Sequence, residues 1–221
     1  NVSKHFGGVA ALRNVDFTLK RGEIHGLVGD NGAGKSTTMK IIAGVHTEFE
    51  GVMKIGGRTV RLRSARDALS NSIGMVHQEL SAIPDLTVAE NVFLGHQPVN
   101  AVGKVDWARM NREARTLLHG LGLDINPKRT MGSLPVGLQQ LVELSRVLFS
   151  GARIIILDEP TSALSPPEVK RLFDVLRKIK RTNISLDVIV KMAKGATDSR
   201  TGSFTEIILG LPGDTKDRHM K

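Results

Sequence analysis

Residues 29–37 read Gly-Asp-Asn-Gly-Ala-Gly-Lys-Ser-Thr, the pattern G-x-x-x-x-G-K-[ST], and they follow the apolar run Ile24 to Val28. That pattern requires a strand, a glycine-rich loop and a helix in succession. The glycines let consecutive backbone N–H groups turn toward one centre, and the helix that follows presents its positive N-terminus there. Lys35 adds a point charge for outer phosphates, and Ser36 is placed to bind Mg²⁺. The candidate nucleotide-binding residues are therefore Gly29, Asn31, Gly32, Ala33, Gly34, Lys35, Ser36 and Thr37. A glycine-rich turn that merely opens a helix is the alternative, and the strand, loop and helix signals in the required order argue against it.

A chain of 221 residues can bury one substantial core, or one core plus a small subdomain. Its 31 basic and 22 acidic residues give a net charge of +9, which suits phosphates, anionic lipid or nucleic acid alike. Several of the basic residues (Arg109, Arg112, Arg115, Arg171, Arg177, Lys178, Lys180) lie in helical patterns and read as solvated helix faces. With no tyrosine and one tryptophan, the chain lacks stacking platforms, so no nucleic-acid partner is expected. The absence of cysteine rules out a disulfide framework and is compatible with a reducing compartment. Apolar runs such as Ile154 to Leu157 fall far short of the ~20 residues of a spanning helix, so membrane contact is expected through a partner.

Val15, Phe17 and Leu19 alternate with polar residues as a half-buried strand would. Lys35 to Ala43 reads as a helix ended at Gly44. A β pattern covers Gly51 to Val60, and Ile73 to Val76 is a short apolar run before Gln78. From about Leu86 to Leu134 the pattern is helix after helix, which predicts an inserted helical subdomain over about 86–150. Thr87 with Glu90 makes a capping box. Asp106 can cap a helix with Trp107, Met110, Ala114, Leu117, Leu118 and Leu121 on one apolar face, so Trp107 is expected in the core. Another helix runs to about Phe149, and Arg153 to Leu157 is a buried-strand pattern. Ser165, Pro166 and Glu168 give N-cap, N1 and N3 residues for a helix with Val169, Leu172, Phe173, Leu176 and Ile179 on one side.

Asp158 and Glu159 follow the run Ile154-Ile155-Ile156-Leu157. Two carboxylates at the end of an apolar strand can reach Mg²⁺ and water beside a phosphate loop. Asp158 would hold the metal, and Glu159 would polarise the attacking water as general base. An exposed acidic turn is the alternative for an isolated Asp-Glu pair. The histidines at 5, 25, 46, 77 and 96 show no metal-ligand spacing and read as structural or surface residues.

Together these motifs resemble the nucleotide-binding subunit of ABC transporters, and in particular the ATPases of monosaccharide importers. The resemblance runs from about Ser3 to Lys180 and takes in the segment Lys4-His5-Phe6-Gly7, the phosphate loop, Met75-Val76-His77-Gln78-Glu79, and a signature-like stretch from Leu134 to Gln140. The strand before Asp158 and the segment Ser162-Ala163-Leu164-Ser165 complete it. It implies an α/β P-loop fold with a mostly parallel sheet, a small antiparallel β portion and a helical insertion; one ATP-binding domain over 1–221 is expected, with 181–221 an atypical C-terminal segment in which Ala193 to Lys221 does not resemble the family. It implies Phe6 stacked on adenine, and Gln78 touching metal and attacking water. Gly137 would reach ATP bound to a second cassette in a head-to-tail dimer. The implied catalytic residues are Glu159, Lys35 and Gln78, and the implied Mg²⁺ ligands are Ser36, Gln78 and Asp158. The implied partners are a second cassette, a membrane permease and, indirectly, a sugar-binding protein, with the chain peripheral at the cytoplasmic face of the cell membrane.

Five features depart from that family. Pro135 stands where the signature has a serine, and Leu138 where it has a glutamine. No histidine follows the expected strand after Lys180; Ile184 to Met192 alternate and could fill the strand position, with Lys191 and Met192 where the histidine would stand and His219 a poor substitute. Asn1 falls where a first strand should already be under way, and one cassette is present where this branch carries two, so a fragment or a replaced end is one expectation. A nucleotide-binding but hydrolysis-poor cassette is a second reading, and a nucleic-acid-associated ABC ATPase a third.

Overall fold

The computed structural model describes residues 1–162, 164–179 and 204–210. They form two units, one of Asn1–Met75, Ala152–Glu159 and the described part of Thr182–Lys221, the other of Val76–Gly151 and Pro160–Arg181.

The first unit begins with an antiparallel pair, β1 (Val2–Phe6) and β2 (Val9–Val15), which pairs from Val2↔Val15 to Phe6↔Val9 with register shifts between Val2 and Lys4 and between Lys4 and His5. The alternation expected to continue through Phe17 and Leu19 does not extend the strand. Both residues leave the ladder but still pack on the core, so the apolar pattern tracked burial rather than backbone pairing. β3 (Ile24–Gly29) leads into the phosphate loop, and α1 (Lys35–Ile42) follows it. A hairpin of β4 (Met53–Ile55) and β5 (Arg58–Val60) turns through Gly56 and Gly57, whose φ angles of 56° and 80° suit the tight turn between short strands. α2 (Ala65–Ser70) starts at Ser64, whose hydroxyl accepts from the Asp67 N–H.

The main sheet of this unit adds β6 (Ile73–Val76), β7 (Ile154–Leu157) and β8 (Phe204–Gly210) in the order β3-β8-β7-β6. Met39, Ala43, Leu62, Ala68, Ile73, Ile156 and Ile208 form its core. The α/β organisation is as the sequence implied, but the strand between β3 and β7 departs from a mostly parallel sheet. β8 runs antiparallel to both neighbours, with Gly29 opposite Phe204 and Leu157 opposite Ile207. Its run Ile207-Ile208-Leu209 has the β-branched, apolar character of a buried central strand, and Ile208 is fully buried. Strand direction is a matter of which end of the segment reaches the sheet first, which residue type does not encode. The alternating stretch Ile184 to Met192, with Lys191, and also Lys180 and His219, lie outside the described residues.

The second unit is helical. α3 (Val88–Val92) carries the full capping box, with Thr87 Oγ1 accepting from the Glu90 N–H at 3.2 Å and Glu90 Oε2 accepting from the Thr87 N–H at 2.8 Å. Asp106 caps α4 (Trp107–Gly120) by accepting from the Arg109 N–H at 2.9 Å. α5 (Val136–Phe149) buries Leu141, Val142, Leu144 and Val147, and rings of Phe93 and Phe149 meet at 4.3 Å. α6 (Pro166–Ile179) buries Leu172, Phe173 and Leu176 as its spacing predicted, and also Val175.

Trp107 corrects one expectation. Met110, Ala114 and Leu118 are fully buried, whereas Trp107 is 55% exposed. It shares their helical period but stands at the first residue of α4. Leu118→Ala should therefore cost about 3 kcal/mol of stability, as cavity-forming core truncations do. Trp107→Ala should stay within about 1 kcal/mol. Urea denaturation of the two variants checks the contrast.

Candidate functional site

The phosphate loop is shaped by contacts beneath it. Gly34 closes the loop and serves as N-cap of α1 with φ 85°. A Cβ there would lie 2.5 Å from Leu12 Cδ2 and 2.7 Å from the Ala11 carbonyl oxygen. Glycine is thus required twice, for its left-handed backbone and for its close approach to β2. The Ala33 N–H donates to the Asp30 carbonyl at 3.1 Å, and the Thr38 N–H and hydroxyl both donate to the Gly34 carbonyl, at 2.9 and 3.0 Å. Asp30, Asn31, Gly32 and Ala33 remain exposed at the tip, while Lys35, Ser36 and Thr37 are half-buried.

Lys35 folds back over this loop. Its Nζ donates to the Gly29 carbonyl at 2.8 Å and to the Asp30 carbonyl at 3.1 Å. The ammonium therefore stands on the loop itself, held by two neutral acceptors that an anionic oxygen would outcompete.

Asp158 and Glu159 follow β7 in the same unit, both half-buried. Glu159 adopts φ 44°, a left-handed conformation uncommon for a residue with a side chain. Burial pushes its carboxyl above the ordinary range, the charge of Asp158 pushes it further the same way, and the charge of Lys35 pulls it back. One unit thus brings the phosphate loop, its lysine and the carboxylate pair within electrostatic reach of one another. A carboxyl raised in this way is a better proton acceptor than an ordinary glutamate. The oxygen donors of Ser36 and Asp158 are of the hard type that magnesium takes.

Phe6 ends β1 in the same unit and is 43% exposed. Its ring meets the His46 imidazole edge-on at 5.1 Å, and the Lys4 ammonium lies 5.0 Å from its centroid. Burial, and then the charges of Lys40 and Lys4, hold His46 below its usual range, so it packs as a neutral ring. His25 is likewise occupied within the structure, 2.9 Å from Glu23 and edge-on to Phe17.

Gln78 and Gly137 belong to the second unit. Gln78 is exposed just beyond β6. Three residues on, Ser81 is anchored to α5: its N–H and hydroxyl donate to buried Glu143 Oε1 at 2.7 and 2.6 Å, and Arg146 donates to its hydroxyl at 2.7 Å. Gly137 is buried in the first turn of α5, and its N–H donates to Glu168 Oε1 at 3.2 Å. Neither anchor was read from the sequence, because both join residues far apart along the chain. A glutamate inside the apolar stretch of α5 was the one available signal for the first.

A family profile described as ABC transporter matches residues 12–162. The ribose import ATP-binding protein RbsA of Caldanaerobacter subterraneus subsp. tengcongensis is 45% identical over 185 residues, covering 84% of this chain and 37% of that protein. The protein of the same name from Chromobacterium violaceum is 47% identical over 186 residues, again 84% of this chain and 37% of the relative. The chain therefore spans little more than a third of the length of these curated relatives. Among solved structures, a dimeric post-hydrolysis state of an ATP-binding cassette bound to ADP and phosphate superposes with a TM-score of 0.62 at 26% identity, over 80% of this chain and 79% of that one.

The raised carboxyl of Glu159 has a consequence for stability. A carboxyl with a higher folded than unfolded pKa destabilises the fold once it ionises, so the cost is present at neutral pH and vanishes below the ordinary value of about 4.5. Glu159→Gln should unfold at higher denaturant than the parent at about pH 7. The difference should close as the pH is lowered to about 4.

Proposed function

We propose that this chain, which belongs to the ABC transporter family, binds ATP on the loop Gly29 to Thr37 and hydrolyses it to energise import of a monosaccharide. The observation that carries the reading is the grouping, in one unit, of the glycine-cradled loop, the Lys35 ammonium and the Asp158-Glu159 pair. The names of the curated relatives support the sugar, and their greater length leaves room for a second cassette in the working assembly. We take residues 1–221 as one ATP-binding domain, acting with a second cassette, a membrane permease and a sugar-binding protein, at the cytoplasmic face of the membrane.

In this mechanism the loop N–H groups and the N-terminus of α1 receive the phosphates, and Lys35 exchanges the carbonyls of Gly29 and Asp30 for phosphate oxygens. Phe6 offers its exposed ring to the adenine. Ser36, Asp158 and Gln78 are the residues that would hold Mg²⁺. When bound, the ion would offset the negative charge of the phosphates. Glu159 takes the proton of the attacking water, which its raised basicity favours, and Gln78 orients that water. Gly137 and its helix α5 serve the nucleotide of a second cassette.

A nucleotide-binding module with slow turnover is the second reading, favoured by Pro135. This residue occupies the N-cap position of α5 with φ −54° and ψ 148° and supplies no side-chain acceptor or hydroxyl. Loss of one preorganised donor of that kind lowers turnover by roughly 10²–10³ in other enzymes.

Magnesium-dependent hydrolysis by the purified chain, compared with Glu159→Gln, decides between them. The expected result is parental turnover roughly 10²–10⁴ above the variant, with ATP affinity retained in both. Equal background rates with intact affinity would sink hydrolysis and leave the binding module. Lys35→Ala should lose ATP affinity itself, measured by calorimetry.

A further inference from the structure

Pro135 leaves α5 without an N-cap acceptor of its own, yet the first turn of that helix is not left uncapped. The Gly137 N–H donates to Glu168 Oε1 at 3.2 Å, while Glu168 Oε2 accepts from the Ser165 N–H at 2.9 Å and the Ser165 hydroxyl at 2.6 Å. A single carboxylate therefore serves the N-termini of α5 and α6, one oxygen to each, where two helix dipoles both favour negative charge.

The approach depends on glycine at 137. A Cβ there would lie 2.5 Å from both Glu168 Cδ and Oε1, inside contact distance. The Ser165 hydroxyl and N–H, then the Gly137 N–H and Arg171, hold the Glu168 carboxyl below the usual range, which keeps it an acceptor at neutral pH. Glu168 at N3 of α6 is accounted for by its own helix through Ser165. Its bond to Gly137, across 31 residues of sequence, is the part that α6 does not need.

We propose that Glu168 is the surrogate N-cap of α5 and, through that cap, a positioning residue for the Leu134 to Gln140 segment. The proposal rests on the hydrolysis reading above only for its second half. Glu168 itself touches no nucleotide in this scheme; it fixes the backbone of the helix turn on which Gly137 stands. It takes over the capping part of the role that a serine at 135 would fill.

The test uses the full chain and four variants, Glu168→Ala, Glu168→Gln, Pro135→Ser and Pro135→Ser combined with Glu168→Ala. Amide hydrogen exchange at Gly137 and Ser165 is measured alongside kcat and KM for MgATP. Glu168→Ala should speed exchange at Gly137 by about fivefold, the usual worth of one N-cap acceptor. Glu168→Gln, which has one acceptor oxygen for the two duties, should keep protection at only one of Gly137 and Ser165. Pro135→Ser should restore Gly137 in the double variant, because the helix regains a cap of its own, but should leave Ser165 unprotected. In turnover, Glu168→Ala should lower kcat with KM unchanged, and the same substitution made on Pro135→Ser should leave kcat at the value of Pro135→Ser alone. Unchanged Gly137 exchange in Glu168→Ala, or no recovery in the double variant, overturns the cap. An exchange pattern as expected with kcat unmoved overturns the positioning role alone. Parental turnover no higher than that of Glu159→Gln overturns the hydrolysis reading and the positioning role together, while the exchange result still decides the cap.

Discussion

The contact of Gly34 with Ala11 and Leu12 fixes the shape from which the rest of the site follows. Only a residue with no Cβ and a left-handed backbone can close the loop against β2 at that distance. Once closed, the loop sets the start of α1 and turns the Gly29 and Asp30 carbonyls toward Lys35. It also keeps the lysine charge where it acts on Glu159. Strand β3 feeds the loop from a sheet whose core residues Met39, Ile156 and Ile208 have almost no exposed surface.

The two halves of the chemistry are poised against each other. Lys35 rests on neutral carbonyls, and Glu159 stands in a half-buried position beside a like charge. Binding a polyanion relieves the first, and accepting a proton relieves the second. The left-handed backbone of Glu159 belongs to the same pattern, since uncommon backbone geometry gathers where a site must hold a side chain in place.

Local signals were legible in the sequence. The phosphate-loop pattern lies within the one stretch Gly29 to Thr37, and the capping box at Thr87 and Glu90, the Asp106 cap and the Ser165-Pro166-Glu168 start of α6 each join residues a single helical turn apart, and all form as their chemistry dictates. Long-range choices were not legible. The direction of β8 depends on which end of a distant segment reaches the sheet, and the bonds Gly137–Glu168 and Ser81–Glu143 depend on packing between elements. Trp107 shows the same limit from the other side, because its period matches a buried face while its place at the helix end leaves it exposed. The roles of individual site residues rest on chemistry and family resemblance together, with Gly34 and Lys35 having the most direct geometric support.

The measurement that most directly tests this account is a crystal structure of the Glu159→Gln chain with MgATP. The account predicts phosphates within the Gly29 to Thr37 loop, with Lys35 Nζ released from the Gly29 and Asp30 carbonyls onto phosphate oxygens and the Gly34 contact with Leu12 unchanged. Nucleotide bound elsewhere, or bound with Lys35 still on its own carbonyls, would contradict it.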